Sequence, residues 1–135
     1  MKWIALAFFL SGGFLNAADD LPVDFVRQIK PIFADRCVVC HNSETLLGEL
    51  NLKNRELAMR KRKNGPVIFP KDPDKSPLYL TLTLPVSDPK AMPATAHRIP
   101  KDEIKTIRRW IEEGASWPEG KDGSIPAKTA KPKSD

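Results

Sequence analysis

The sequence has 135 residues, enough for one small domain but not for several. Its composition, 41% hydrophobic and 29% charged, is ordinary for a soluble globular protein. Thirteen prolines, none in the first twenty residues, argue against long uninterrupted helices and favour a loop-rich domain with short ones. The formal net charge is +5, and nearly all of the excess lies in residues 53–63, KNRELAMRKRK.

Residues 1–18, MKWIALAFFLSGGFLNAA, have the layout of a secretory signal peptide. Lys2 supplies the charged start, residues 3–10 the apolar run, and Ala17 and Ala18 the small residues near a cleavage site. The apolar run is too short to span a bilayer comfortably, so an uncleaved membrane anchor is the less favoured alternative. The expected location is therefore periplasmic or secreted, where two free thiols would not stay idle.

Residues 19–36 are predicted to be helical and to lead directly into CVVCH. Asp24 can cap this helix, and Pro31 should kink or break it because proline has no backbone N–H. Apolar residues recur on one face at three- and four-residue steps: Phe25, Ile29, Ile32 and Phe33.

The middle of the chain is predicted to be mostly irregular. A short helix is expected over residues 54–63, with Gly65 ending it in the left-handed conformation. Residues 66–100 contain eight of the thirteen prolines. Within them, the leucines of SPLYLTLTLP alternate as in a strand, whereas Ser76 and Pro77 make a good helix start; the alternation favours the strand.

The last predicted helix, residues 101–113, has the clearest pattern. Asp102 and Glu103 would lie in its first turn and Gly114 would end it. Its apolar face comprises Ile104, Ile107, Trp110 and Ile111. The globular domain is predicted to extend over residues 19–119, and residues 120–135 lack apolar periodicity and are predicted to form a disordered basic tail.

The stretch CVVCH, residues 37–41, holds both cysteines and one of the two histidines. C-x-x-C-H is the attachment pattern of c-type haem. Two thiols three residues apart on a helical turn can form thioether bonds with the vinyl groups on one porphyrin edge, and the adjacent histidine can ligate the iron. The sequence therefore predicts one covalent haem c per chain, bound through Cys37, Cys40 and His41. Only six aromatic residues lie outside the signal peptide, and a large apolar cofactor would relieve that shortage in the core.

Three other uses of the cysteines compete with haem. A Cys37–Cys40 disulfide would be strained at this spacing. A thioredoxin-like redox pair would require a strand–helix–strand context, and the approach to the motif is helical instead. A zinc site would need His97 as a fourth ligand.

The sixth ligand of the iron has three candidates outside the signal peptide, Met59, Met92 and His97. Met92 lies in the proline-bounded loop DPKAMPATAHRIP, which could cross the open haem face, and a thioether ligand raises the reduction potential. His97 would give bis-histidine ligation and a lower potential, while Met59 is expected to pack on the basic helix. The residues favour Met92 over His97 and leave both open.

The order IKPIF, CVVCH, GELNL, GPVIFPKDPDKSPL, AMP and EIKTIRRWIEEGASWP resembles the planctomycete-type cytochrome c domain over about residues 22–118. CVVCH is shared by all c-type cytochromes, whereas the proline-rich middle and the ending RRWIEEGASWP are more specific. The resemblance implies an all-α, cytochrome c-like fold wrapped around one covalent haem, with a proline-rich loop region. It also implies His41 as the proximal ligand, Met92, which a proline follows, as the distal ligand, and a short helix for SPLYLTL.

The expected function is that of an exported monohaem c-type cytochrome, which transfers electrons through His/Met-ligated iron and is not itself an enzyme. The alternative is a haem-based gas-binding or sensing module with an open or weakly held sixth position. The cations at residues 60–63 are expected to attract an acidic redox partner, such as a dehydrogenase or oxidase, or to contact an anionic membrane peripherally. No nucleic-acid partner is expected, because no reading motif accompanies the basic run.

Overall fold

The computed structural model describes residues 21–126, which form a small all-α domain without strands. The predicted signal peptide, residues 1–18, and residues 127–135 of the predicted tail lie outside this range. A π-helix and two 3₁₀ turns accompany the α-helices: π-helix Phe25–Ile29, and turns Leu47–Glu49 and Pro73–Lys75. The α-helices are α1 (Lys30–Arg36), α2 (Arg55–Ala58), α3 (Pro77–Thr83), α4 (Lys101–Glu112) and α5 (Gly120–Gly123).

Pro31 interrupts the first helical segment, as the sequence predicts. The Asp24 side chain caps the π-helix by accepting from the Arg27 N–H at 3.0 Å, and the Lys30 N–H donates to the Phe25 carbonyl, five residues back. Pro31 then occupies the first turn of α1, where a missing N–H costs nothing. The proline therefore marks the change from π- to α-helix.

α4 buries the face that its periodicity predicts, and it does so against aromatic residues from both ends of the domain. Ile107, Trp110 and Ile111 are buried, and α4 contacts the π-helix and α3. Four aromatic rings gather there with centroids between 4.7 and 6.4 Å apart. We call this group, Phe25, Phe33, Trp110 and Trp117, the terminal core. Most of the scarce aromatic residues thus pack against one another.

The leucine alternation in residues 76–84 predicted a strand, and that prediction is wrong. Residues Pro77–Thr83 form α3, which starts with its proline in the first turn. Leu78 and Leu82, four residues apart, are buried on one side of the helix, while Leu80 is exposed. An alternating pattern stabilises a strand only where a partner strand lies beside it. Here the helix is favoured instead, because it buries Leu78 and Leu82 on one face.

α2 begins at its predicted cap but is shorter than predicted. The Asn54 side chain accepts from the Leu57 N–H at 2.9 Å, yet the helix ends at Ala58. Gly65 does adopt a left-handed conformation, with φ +80°, in a later turn. Residues 62 and 63 bond instead to the segment at residues 48–49, which draws the chain away from the helix axis.

The prediction of a disordered tail is wrong for residues 120–126. They form α5, and Ile125 is buried while its N–H donates to the Lys53 carbonyl at 2.7 Å. Lys30 Nζ donates to the carbonyls of Lys121 and Asp122, each at 3.0 Å. A single apolar residue gives no periodicity, so only the long-range contacts reveal that this segment is ordered.

Candidate haem site

CVVCH follows α1 as one further helical turn. The Cys40 and His41 N–H groups donate to the Cys37 carbonyl at 3.1 and 2.9 Å. Both thiols are free; Cys37 is buried and Cys40 is exposed. The structure thus places the two predicted attachment residues and the predicted proximal ligand on a single turn, as the attachment pattern requires.

The His41 ring is oriented by a backbone hydrogen bond. Its Nδ1 lies 2.9 Å from the Leu47 carbonyl oxygen. A carbonyl can only accept, so Nδ1 carries the proton and Nε2 keeps a free lone pair. Burial lowers the pKa of His41, the Leu47 hydrogen bond opposes this shift, and the Arg62 charge adds to it. The neutral ring with Nε2 available is the form that ligates a metal.

The environment of Cys37 does not suit a thioredoxin-like pair. Burial raises the pKa of Cys37 to about 12, with the charges of Glu103 and Cys40 adding to the shift and that of Arg36 opposing it. Redox-active cysteines have low pKa values, because the thiolate is the nucleophile. A zinc site is likewise unsupported, since no three His, Cys, Asp or Glu side chains in residues 21–126 form a metal-ligating group.

Asn42, which sequence reasoning missed, organises the turn that follows the motif. Its Nδ2 donates to the Val38 carbonyl at 2.7 Å, and its Oδ1 accepts from the N–H groups of Glu44 and Thr45 at 2.8 and 3.0 Å. Asparagine often closes a turn by bonding to the backbone two or three residues ahead, so an Asn directly after a helical turn was an available signal. Asn42 brings the chain round toward Leu47.

Arg62 lies beside this turn and has an unused donor. Its Nη2 donates to the Gly48 carbonyl at 2.7 Å, while its Nε is buried without a hydrogen-bond partner. A buried cationic N–H fits a carboxylate, and haem carries two of them as propionates. Two free thiols on one turn, a neutral imidazole with free Nε2 and this guanidinium together fit a covalently bound haem.

Met92 is half-buried against the core and is anchored on α3, where its N–H donates to the Thr81 carbonyl at 2.9 Å. Met59 also packs against the core, and His97 is exposed. Arg98 ties the Met92 loop to the end of α3: its Nη2 donates to the Leu82 and Leu84 carbonyls, each at 3.0 Å. The structure holds Met92 in place from two sides, and its ligation to the iron stays a prediction.

The surface of the motif is open. Val39 and Leu47 are 54% and 52% exposed, large values for apolar side chains. Two cavities lie elsewhere, one of about 390 Å³ lined within residues 86–96 and one of about 730 Å³ lined by α2 and α5 residues. That the chain wraps around a haem therefore stays a prediction. A bound haem could bury the exposed side chains of Val39 and Leu47.

Comparison with known proteins gives one family. Residues 37–94 match the family model described as Planctomycete cytochrome C. No curated protein and no solved structure matches the chain. Within the described part of the chain, no helix has the length and apolar character needed to cross a membrane.

Proposed function

Because residues 37–94 match the planctomycete-type cytochrome c family, we propose that the protein is an exported monohaem c-type cytochrome that carries single electrons. The observation that carries this proposal is the His41 ring, whose protonated Nδ1 is held by Leu47 while Nε2 is left free beside two unpaired thiols. Haem bound there would supply an iron that takes up and releases one electron. Cytochrome c domains are typically extracytoplasmic, in keeping with the predicted signal peptide.

Each site residue has one proposed role. Cys37 and Cys40 would bind the haem covalently, His41 would be the proximal ligand, and Met92 would be the distal ligand. Two protein ligands on the iron leave no coordination position for a substrate, so we propose a carrier and not an enzyme. Burial lowers the pKa of His41 and so favours the neutral ring, and the Leu47 hydrogen bond fixes the orientation of that ring.

The proposed partner is an acidic redox protein that docks beside the motif. Arg60, Lys61 and Lys63 are exposed, and the Arg62–Gly48 hydrogen bond links this basic run to the segment that carries the exposed Leu46 and Leu47. An apolar centre beside a charged rim is the usual composition of a transient docking surface. Electron transfer to such a partner should slow as salt is added; a rate insensitive to salt would contradict docking through these cations.

Absorption spectroscopy tests the function directly. The full precursor is expressed with a haem-maturation system, and spectra of the exported protein are recorded before and after denaturing extraction. Haem that stays with the denatured polypeptide supports the proposal, and a colourless protein rejects it. His41→Ala should abolish stable low-spin haem, while Cys37→Ser should leave a single thioether and mature poorly.

The sixth ligand separates electron transfer from gas binding. Met92→Ala should leave the haem attached, remove the methionine–iron charge-transfer band of the oxidised protein and open a site for carbon monoxide on the reduced protein. Met59→Ala, at a methionine that is also half-buried, is the matched control. It should change neither the methionine–iron band nor carbon monoxide binding. An unchanged spectrum in Met92→Ala rejects Met92, and carbon monoxide binding by the unaltered protein favours the gas-binding alternative.

A further inference from the structure

The segment that orients His41 has an unfavourable backbone. Leu46 and Glu49 have φ values of +42° and +56°, and Gly48 between them has φ +64°. Left-handed conformations are costly for residues with a side chain, and they persist only where the surrounding structure enforces them. We call Leu46–Glu49 the acceptor loop, because its Leu47 carbonyl accepts the His41 Nδ1 proton. Something outside this loop must hold it in shape.

Two regions hold the acceptor loop, one from each side. On the motif side, the Leu46 N–H donates to the Asn42 carbonyl at 2.9 Å, and the Leu47 N–H contacts the Cys40 carbonyl at 3.4 Å. On the far side, Arg62 Nη2 donates to the Gly48 carbonyl at 2.7 Å, and the Lys63 N–H donates to Glu49 Oε2 at 3.2 Å. Arg62 supplies the shortest of these four contacts, and its acceptor is adjacent to Leu47.

We propose that Arg62 is a positioning residue for His41, which fixes the acceptor loop through Gly48 and so sets the orientation and basicity of the proximal ligand. This inference rests on the proposed function, because it takes His41 to be an iron ligand. It divides the basic run by role: Arg60, Lys61 and Lys63 are exposed, whereas Arg62 is half-buried with its Nε shielded from water and without a partner. The Nε N–H remains free to donate to a haem carboxylate. The Arg62 guanidinium would then be held through two of its nitrogens, Nη2 by the Gly48 carbonyl and Nε by the carboxylate.

The chemistry of arginine fits this position better than that of lysine. A guanidinium presents several N–H donors in one rigid plane, so one side chain can bond the Gly48 carbonyl and a carboxylate together, whereas an ammonium offers a single point charge on a flexible stem. Outer partners of metal-ligating histidines fix the ring and raise its basicity, and their loss typically costs tenfold to a hundredfold in metal affinity or activity. Arg62 would act one step further out, through the loop that carries the acceptor.

The test compares Arg62→Ala and Arg62→Lys with Arg60→Ala, the matched removal of an exposed cation from the same run. In reduced, ¹⁵N-labelled protein as isolated, NMR measures the exchange rate of the His41 ring N–H, and an electrode titration measures the reduction potential. Arg62→Ala should speed the exchange by roughly tenfold or more, whereas Arg60→Ala should leave it nearly unchanged, and a shift in potential beyond that of Arg60→Ala would report the changed ligand. Arg62→Lys should be intermediate, since it retains the charge and can still donate to the Gly48 carbonyl, but without the rigid plane of a guanidinium.

Equal exchange rates in the Arg62→Ala and Arg60→Ala proteins would overturn the proposal, because removal of charge alone would then explain the effect. Far-UV circular dichroism checks that each variant is folded. If Arg62→Ala does not fold, the comparison of Arg62→Lys with Arg60→Lys decides the same question. Protein isolated without covalent haem would reject the proposed function alone, since the exchange ratio is a property of the folded chain and is read from the same samples.

Discussion

The terminal core and the site loops of this domain are held together by different forces. The terminal core places four aromatic rings in mutual contact, and each ring is at most 5% exposed. The site loops, residues 42–49 and 92–98, are fixed by individual hydrogen bonds, some between side chains and backbone and some between backbone groups. Burial of large rings contributes several kcal/mol per residue, whereas one such hydrogen bond contributes about 1 kcal/mol net.

The difference separates stability from function. The terminal core joins the first helical segment to α4 and the C-terminal residues, and none of its four rings comes from the motif. We expect the site loops to contribute less to the free energy of unfolding, while their hydrogen bonds position the His41 ring and the Met92 backbone. Substitutions in the core should therefore change stability with little change in spectrum, and substitutions in the loops should do the reverse.

The largest expected effect is in the core. Trp110→Ala removes a 1% exposed ring and its Nε1 hydrogen bond to the Ser116 carbonyl, and should lower the free energy of unfolding by about 3–5 kcal/mol. Urea unfolding followed by far-UV circular dichroism measures the change, with Val86→Ala, at a 67% exposed residue, as a near-neutral control. If Trp110→Ala lowered the free energy of unfolding only in haem-free protein, the core and the haem site would not be independent, and the separation of stability from function would be wrong.

The two thiols offer the next test. Because burial raises the pKa of Cys37 to about 12 from an ordinary 9.0, its thiolate fraction below pH 9 is roughly a thousandfold lower than that of an ordinary cysteine. Iodoacetamide should therefore alkylate Cys40 long before Cys37 in folded, haem-free protein at pH 8, and both at similar rates in urea. Mass spectrometry after digestion reads the order; equal rates in the folded protein would place Cys37 at the surface.

Gly123 tests whether residues 120–126 belong to the domain. A Cβ atom at this position would overlap the Pro118 carbonyl oxygen and lie 3.0 Å from the Trp117 ring. Gly123→Ala should therefore force the segment off the terminal core and lower the free energy of unfolding by about 1–3 kcal/mol. Ser124→Ala, at the exposed neighbouring residue, is the control. Equal urea midpoints for the two variants would mean that the segment adds nothing to stability.

Arg98 should show the smallest effect on stability and a clear one on the site. Arg98→Ala removes the bonds that tie the Met92 loop to the last carbonyls of α3, and should ease opening of that loop by about 1–2 kcal/mol. In the haem-loaded protein, the methionine–iron band should then be lost at a lower urea concentration than helical structure. Lys101→Ala serves as the exposed control. Loss of both signals together would argue against a loop that opens separately.

Local patterns predicted the parts of the molecule whose causes are local. The periodicity of residues 101–113 located α4 and its buried face, Asn54 marked the start of α2, and Pro31 marked the break in the first helix. The attachment motif predicted Cys37, Cys40 and His41 as haem-binding residues, and the structure places all three on one turn. The leucine alternation failed because it matches a strand only if a second strand lies beside it.

The sequence by itself predicted the cofactor chemistry, since two thiols and a histidine at this spacing need only one helical turn to act together. Only the tertiary structure decided how that turn is supported. Arg62 reaches Gly48 across fourteen residues, Arg98 reaches Leu82 across sixteen, and Ile125 is buried beside a backbone bond to Lys53. Contacts of this range depend on the path of the whole chain, because no local pattern of residues specifies which distant carbonyl or cavity a side chain will meet.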